Sequence, residues 1–70
     1  DGGLDGLSEI RKVIKKSSEL IKKNGKLILE IGFDQKNKVI NILKQEGFYI
    51  NNTKKDLAKN IRCIISTKYR

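Results

Sequence analysis

Apolar residues recur at helical spacing in the first third of the chain and share one face of a helix: Ile10, Val13, Ile14, Leu20 and Ile21. This spacing predicts a first helix over residues 9–23. Ser8 is a suitable N-cap, because its hydroxyl can accept a hydrogen bond from a free N–H at the start of the helix. Lys22 and Lys23 suit the negative end of the helix dipole, and Gly25 suits the position just after the helix.

A short apolar run follows at residues 27–31, interrupted only by Glu30. A continuous apolar run of this length predicts a strand that is buried on both faces, as in parallel sheets. Asp34 is placed to cap a second helix over residues 35–46, and Gly47 follows as the stop signal. The apolar positions of that helix are Val39, Ile40, Ile42 and Leu43.

The last third of the chain predicts two more strands, over residues 48–53 and 61–67, joined by a polar connection over residues 54–59. The predicted order is helix, strand, helix, strand, strand, which is an α/β fold. The first two strands and the helix between them form a βαβ unit, whose right-handed crossover places these strands parallel. The polar connection is short enough for the last strand to return antiparallel.

Length and charge limit the classes of function. Seventy residues make one small domain at most, and a chain of this size buries only about 60% of the surface that it exposes when unfolded. A net charge of +8 is compatible with a nucleic acid, an anionic membrane or an acidic protein as partner, and equally with a surface solvated by lysine. No apolar run approaches the roughly 20 residues of a membrane span, and no signal peptide is recognisable. We therefore expect a cytoplasmic protein with no membrane partner, processed or cut from a longer one because it begins at Asp1.

Cys63 is the single cysteine, and the sequence contains no histidine. This composition excludes a Cys–His nucleophile within the chain and makes a zinc site implausible. One cysteine cannot form an internal disulfide, which is typical of cytosolic proteins. We interpret Cys63 as a small buried or half-buried apolar residue.

Two polar features are candidates for a site. Glu30 lies in an apolar run, where an ionised carboxylate needs a partner. It either points to a pocket near the carboxyl end of its strand or is paired with a neighbouring loop or basic side chain. Residues 1–6 lack two of the ligands of a calcium-binding EF-hand loop, and they lack the strand and the Gly-Lys-Ser/Thr of a phosphate-binding loop. We interpret them as a loop that leads into the first helix.

The basic residues lie mainly on the outer faces of the predicted helices, and the aromatic residues Phe33, Phe48, Tyr49 and Tyr69 are scattered along the sequence. A protein that binds nucleic-acid single strands would interleave aromatic side chains with the basic ones for base stacking. We therefore do not expect a nucleic-acid partner for this chain. A small basic α/β module that binds RNA or an acidic protein is the alternative.

Several short motifs follow one another in a distinctive order: Asp1-Gly2-Gly3-Leu4-Asp5-Gly6-Leu7, Leu29-Glu30-Ile31-Gly32-Phe33-Asp34-Gln35, Glu46-Gly47-Phe48, Lys55-Asp56-Leu57-Ala58 and Ile61-Arg62. Together they resemble the carboxyl-terminal part of the release-factor glutamine methyltransferases, the HemK/PrmC family. The resemblance covers nearly all 70 residues. The chain departs from it before the strand, where Lys23 stands in place of a frequent Pro, and at Lys36, where a Gly is usual. Both departures lie in turn or helix-start positions.

The resemblance implies a class I, S-adenosylmethionine-dependent methyltransferase, of which residues 1–70 form one partial domain. It also implies methylation of the glutamine amide in the Gly-Gly-Gln motif of peptide chain release factors. In that family a Gly-rich loop binds the cofactor and an Asn-Pro-Pro-Tyr motif holds the target amide, and this sequence contains neither. We therefore assign no catalytic, cofactor-binding or metal-binding residue to this chain. Amino-methyltransferases of nucleic acids share the Asn-Pro-Pro-Tyr motif, so such an enzyme is a further alternative.

On the topology of that family, the chain supplies the last part of a Rossmann-like sheet. The resemblance implies a mixed three-stranded sheet, with the last strand antiparallel and central and with both helices on one face. The other face and the free edge of the strand at residues 27–31 would be left bare for the rest of the methyltransferase domain. That domain and a peptide chain release factor are the expected partners. The residues expected nearest the active site are Glu30, Gly32, Phe33, Asp1, Gly2, Gly3, Asp5 and Gly6.

Overall fold

A computed structural model describes residues 7–32 and 34–70. Its elements are the helices α1 (Ser8–Leu20) and α2 (Lys36–Gln45) and the strands β1 (Lys26–Glu30), β2 (Phe48–Lys55) and β3 (Ile61–Lys68). They follow one another as α1, β1, α2, β2 and β3, so the predicted order of elements is confirmed. β2 extends beyond its predicted end at residue 53, because the chain stays paired with β3 up to the turn.

β3 lies at the centre of the sheet, whose strand order is β1-β3-β2. It pairs antiparallel with both neighbours, so β1 and β2 run parallel to each other on either side of it. The expectations that the last strand is central and antiparallel are confirmed. The expectation of a mixed sheet is wrong for the described residues, because both strand pairs among them are antiparallel.

One hydrophobic core joins both helices to the sheet. Its buried members come from the helices, the strands and the segments beside them: Leu7, Ile14, Ile31, Val39, Leu43, Phe48 and Ile64. Ile14 of α1 and Leu43 of α2 belong to the same cluster as Phe48 of β2. The two helices therefore cover the same face of the sheet, as the resemblance implies.

β1 is buried on one face only. Leu27 and Leu29 are half-buried against the core, whereas the Ile28 side chain between them is 62% exposed. The prediction of a strand buried on both faces is wrong here. The reason is the position of β1 at the edge of a sheet that carries both described helices on one side.

The second face of the sheet carries an apolar strip. Ile28 and Glu30 lie directly opposite Ile65 and Cys63 in the β1–β3 register, and opposite residues point to the same side of a sheet. We call the face that contains these four side chains the outer face. The bare face and bare strand edge implied by the resemblance are both present among the described residues.

Both ends of α1 differ from the predicted ends of the first helix. α1 ends at Leu20 because the next residue, Ile21, turns to an extended conformation and packs against the core. Lys22 and Lys23 therefore follow the helix instead of forming its last turn. At its start, Leu7 is the N-cap and Ser8 is the first helical residue, with no capping hydrogen bond from a side chain.

The start of α2 also differs from the prediction, whereas its end agrees with it. Gln35, and not Asp34, is the N-cap, and α2 begins at Lys36. Gly47 follows the helix with φ +90, a conformation that side chains rarely adopt, so the stop signal is confirmed. A Cβ at this position would also lie 2.7 Å from Nε of Arg70.

Candidate functional site

The loop after β1 holds two of the residues that the sequence places nearest an active site. The Gly32 N–H donates to Oε1 of Gln35 at 2.8 Å, and the Gln35 N–H donates to the Gly32 carbonyl at 3.0 Å. These two hydrogen bonds close a turn that leads directly into α2. A Cβ at Gly32 would stand 3.2 Å from the same Oε1 atom, so the close approach favours glycine. Phe33, the next predicted residue, lies outside the described residues.

Glu30 is exposed on the outer face, opposite the half-buried Cys63. The expectation that this carboxylate lies inside a buried strand is wrong. An exposed carboxylate is solvated by water and needs no buried partner. The apolar run alone could not predict this exposure, because edge and central strands can carry the same short apolar run. The half-buried position of Cys63 agrees with its interpretation as a small apolar residue.

The remaining predicted site residues lie in the loop before α1. Asp1, Gly2, Gly3, Asp5 and Gly6 are all outside the described residues. The described chain begins at Leu7, whose side chain is completely buried in the core. The structure therefore places the end of this loop, at Leu7, beside the helices.

The turn between β2 and β3 contains a hydrogen-bonded carboxylate that was predicted only as part of a polar connection. Oδ1 of Asp56 accepts the N–H groups of Ala58 at 2.9 Å and of Asn60 at 3.0 Å. Its Oδ2 accepts Nε–H of Arg62 at 2.8 Å. The hydrogen bond to Arg62, with smaller contributions from the two N–H groups, lowers the pKa of the Asp56 carboxyl, although partial burial opposes the shift. The available sequence signal was an Asp at the start of a turn with an Arg six residues later.

Arg62 joins this turn to the loop after β1. Its side chain holds Asp56, and its backbone carbonyl accepts the Ile31 N–H at 2.9 Å. β1 and β2 are parallel, so their carboxyl ends lie at the same end of the sheet. Ligands of open α/β sheets gather at the carboxyl ends of parallel strands. The loop after β1 and the turn after β2 are therefore the parts of the described chain best placed to face a ligand.

Comparison with known proteins gives a consistent result. The chain is 39% identical over 67 residues to the release factor glutamine methyltransferase of Clostridium acetobutylicum, which covers 96% of this chain and 24% of that relative. It is 43% identical over 68 residues to the protein of the same name from Clostridium botulinum, covering 97% of this chain and 24% of that relative. The chain belongs to the release factor glutamine methyltransferase family. No family model matches it, and no solved structure does.

A bifunctional methyltransferase of Rickettsia felis is also similar, at 38% identity over 61 residues, which cover 87% of this chain and 12% of that relative. The chain spans about a quarter of the length of the two clostridial release factor glutamine methyltransferases. Most of such a protein thus lies outside the matched region. The geometry described above therefore corresponds to about a quarter of the length of these two relatives.

Among residues 7–32 and 34–70 there is no detected pocket and no group of three or more side chains that could hold a metal ion. None of the described helices is long and apolar enough to cross a membrane.

The far end of the sheet brings together residues that looked scattered in the sequence. The rings of Tyr49 and Tyr69 lie 6.4 Å apart, and each side chain is about half exposed. Beside them, Nζ of Lys26 donates to Oγ1 of Thr67 at 2.9 Å, and Oγ1 of Thr67 donates to Oδ1 of Asn51. This cluster lies at the amino end of β1, away from the loop that follows β1, and we assign it to the structure of the sheet.

The lowered pKa of Asp56 predicts a pH-dependent contribution to stability. The Asp56 carboxyl has an ordinary pKa of about 3.9 in the unfolded chain and a lower pKa in the folded chain. Folding therefore releases a proton from this carboxyl only at pH values around these two pKa values. The stabilising effect is complete above about pH 5 and is lost as the pH falls through the folded pKa. We expect Asp56→Asn to lower the thermal midpoint at pH 7 and to lower it less at pH 2.5, where the carboxyl is protonated in the unfolded chain. Melting curves of both proteins across this range check the prediction, and an equal difference at both pH values would contradict it.

Proposed function

We propose that this chain is the carboxyl-terminal part of an S-adenosylmethionine-dependent enzyme that methylates a glutamine side-chain amide in peptide chain release factors. The observation that carries the proposal is its identity of 39–43% to two clostridial proteins that bear the name release factor glutamine methyltransferase. The matched region covers nearly the whole of this chain. We propose the glutamine of the Gly-Gly-Gln motif as the acceptor, and the cytoplasm, where release factors act, as the location.

The described residues support a contributing role and not a self-sufficient one. S-adenosylmethionine needs a concave site, and no pocket is detected among residues 7–32 and 34–70. The Gly32 N–H at the carboxyl end of β1 is already used by Gln35. In this proposal S-adenosylmethionine is bound by other parts of the enzyme. Glu30 and Gly32 are then proposed to lie near the active site without taking part in the reaction.

The outer face and the free edge of β1 fit the role of an internal interface. Ile28 is 62% exposed beside Ile65, and β1 has a partner strand on one side only among the described residues. An open strand edge with apolar side chains favours pairing with another strand. In the proposed enzyme, the rest of the methyltransferase domain covers this surface and extends the sheet beyond β1.

An exchange experiment tests the proposed function. The matched quarter of the Clostridium acetobutylicum relative is replaced by this chain, and transfer of labelled methyl groups from S-adenosylmethionine to a purified release factor is measured. We expect the exchanged enzyme to methylate the release factor at a rate within about tenfold of the parent. The parent enzyme without its matched quarter is the control and is expected to be inactive.

Two results would count against the proposal. The first is an exchanged enzyme that folds and binds S-adenosylmethionine but leaves the release factor unmodified. The second is methyl transfer to RNA or DNA in preference to the release factor, which would favour the nucleic-acid alternative. Replacing the acceptor glutamine of the release factor removes the signal if the proposed target is correct.

A further inference from the structure

The tip of the turn between β2 and β3 carries a fully exposed leucine, Leu57. A single exposed leucine is common on protein surfaces, so its exposure alone indicates nothing. The turn beneath it is more informative. Asp56 accepts the N–H groups of Ala58 and Asn60, and its backbone carbonyl accepts the Lys59 N–H at 3.0 Å. The residues on both sides of the leucine are therefore fixed.

The backbone of this turn is also strained. Lys59 adopts φ 71, in the left-handed region that non-glycine residues rarely occupy. The Asp56 N–H donates to the Asn60 carbonyl at 2.9 Å and closes the base of the turn. The hydrogen bonds hold one conformation against this strain, and in that conformation the leucine side chain points into water.

The turn lies at the end of the sheet that contains the carboxyl ends of β1 and β2. It follows the carboxyl end of β2, and Arg62 connects it to the loop that follows β1. A macromolecular substrate that reaches that end of the sheet therefore comes close to Leu57. By contrast Leu20, which is 71% exposed, closes α1 and lies before the amino end of β1, at the opposite end of the sheet.

The charges around the tip indicate the chemistry of its partner. Lys54 and Lys55 precede the turn and Lys59 lies within it, and all three side chains are exposed. An apolar tip with exposed lysines close to it in the sequence complements an apolar recess bordered by carboxylates. Apolar side chains can also insert between the bases of a nucleic acid, so the choice of a protein partner here rests on the proposed function.

We propose that Leu57 is a contact residue for the methyl-accepting protein, inserting into an apolar recess with an acidic border on that protein. The inference rests on the proposed function, because it assigns the partner as the protein substrate of the same enzyme. Asp56 is then a positioning residue, which holds the tip in place. Leu57 contributes to the affinity for the whole protein substrate and takes no part in the methyl transfer.

Steady-state kinetics of the exchanged enzyme test the inference with two matched variants. Leu57→Ala removes the proposed contact, and Leu20→Ala removes an exposed leucine from the opposite end of the sheet. We expect Leu57→Ala to raise the KM for the whole release factor about tenfold, the effect of losing one buried leucine side chain. For the Leu57→Ala variant, kcat and the affinity for S-adenosylmethionine are expected to stay within twofold of the values for the unsubstituted exchanged enzyme. Leu20→Ala leaves all three values within twofold.

A direct binding titration with the release factor separates this inference from the proposed function. Methyl transfer with a KM that Leu57→Ala does not change overturns the inference and leaves the proposed function standing. Binding that weakens with Leu57→Ala, in an enzyme that transfers no methyl group to the release factor, supports the contact and overturns the proposed function. Absence of both binding and transfer overturns both. An equal loss of affinity with Leu20→Ala also overturns the inference, because the effect would then not depend on the turn.

Discussion

Replacing Phe48 with alanine is expected to lower the free energy of unfolding of this chain by about 3–5 kcal/mol. The Phe48 side chain is completely buried in the core that joins both helices to the sheet. A folded chain of 70 residues has a total stability of roughly 4–10 kcal/mol, so the loss amounts to about a third of it or more. The unfolding midpoint of the variant in a denaturant series, measured by circular dichroism at 25 °C, is therefore expected to fall by about a third or more.

The adjacent residue supplies a matched control for this prediction. The Tyr49 side chain is about half exposed, and its described aromatic contact is with Tyr69. Tyr49→Ala is expected to cost no more than about 1.5 kcal/mol, the range for one aromatic pair. If both substitutions lowered the free energy of unfolding equally, the assignment of Phe48 to the core face would be wrong.

Replacing Ile28 with lysine is expected to shift the isolated chain from associated species towards monomer. Ile28 is 62% exposed on the outer face, in an edge strand that offers free N–H and C=O groups to a second chain. A lysine at this position leaves the fold intact but opposes edge pairing by placing a charge on the apolar strip. Because burying an isoleucine contributes about 1.5–3 kcal/mol, we expect the dissociation constant to rise at least tenfold.

Sedimentation velocity over a concentration series measures this shift. Leu20→Lys is the control, because Leu20 is at least as exposed as Ile28 but lies on α1 and away from the outer face. A native chain that stays monomeric at high concentration and melts cooperatively would contradict the expected association. Equal effects of the two lysine substitutions would instead assign the association to general surface hydrophobicity.

The spacing of apolar residues was sufficient to predict the order of elements but not the burial of β1. Leu27, Leu29 and Ile31 pack inward as expected, while Ile28 and Glu30 face outward at a sheet edge. Whether the second face of a strand is covered depends on elements distant in the chain, and a local pattern contains no information about them. The central position of the last strand was implied by the family resemblance, whereas its antiparallel direction was also indicated by the short polar connection before it.

The helix ends and the polar turn are further features that could not be predicted from the sequence. Ser8 and Asp34 are good capping residues by type, yet neither caps a helix, because the chain path is set by the burial of Leu7 and by the turn between Gly32 and Gln35. Asp56 lay in a segment predicted only as polar. Its three acceptor contacts depend on a turn geometry that residue types alone do not determine.

The central position of β3 has a consequence for the order in which the protein can fold during synthesis. In the described sheet β1 and β2 each pair with β3 and not with each other. A ribosome completes both outer strands before it makes residues 61–68, so neither has its partner in the sheet while the chain is still growing. The two helices can form early, since their hydrogen bonds are local, but the sheet must wait for the last of these strands to emerge. Until then the apolar residues of β1 and β2 are available to chaperones, or to neighbouring nascent chains.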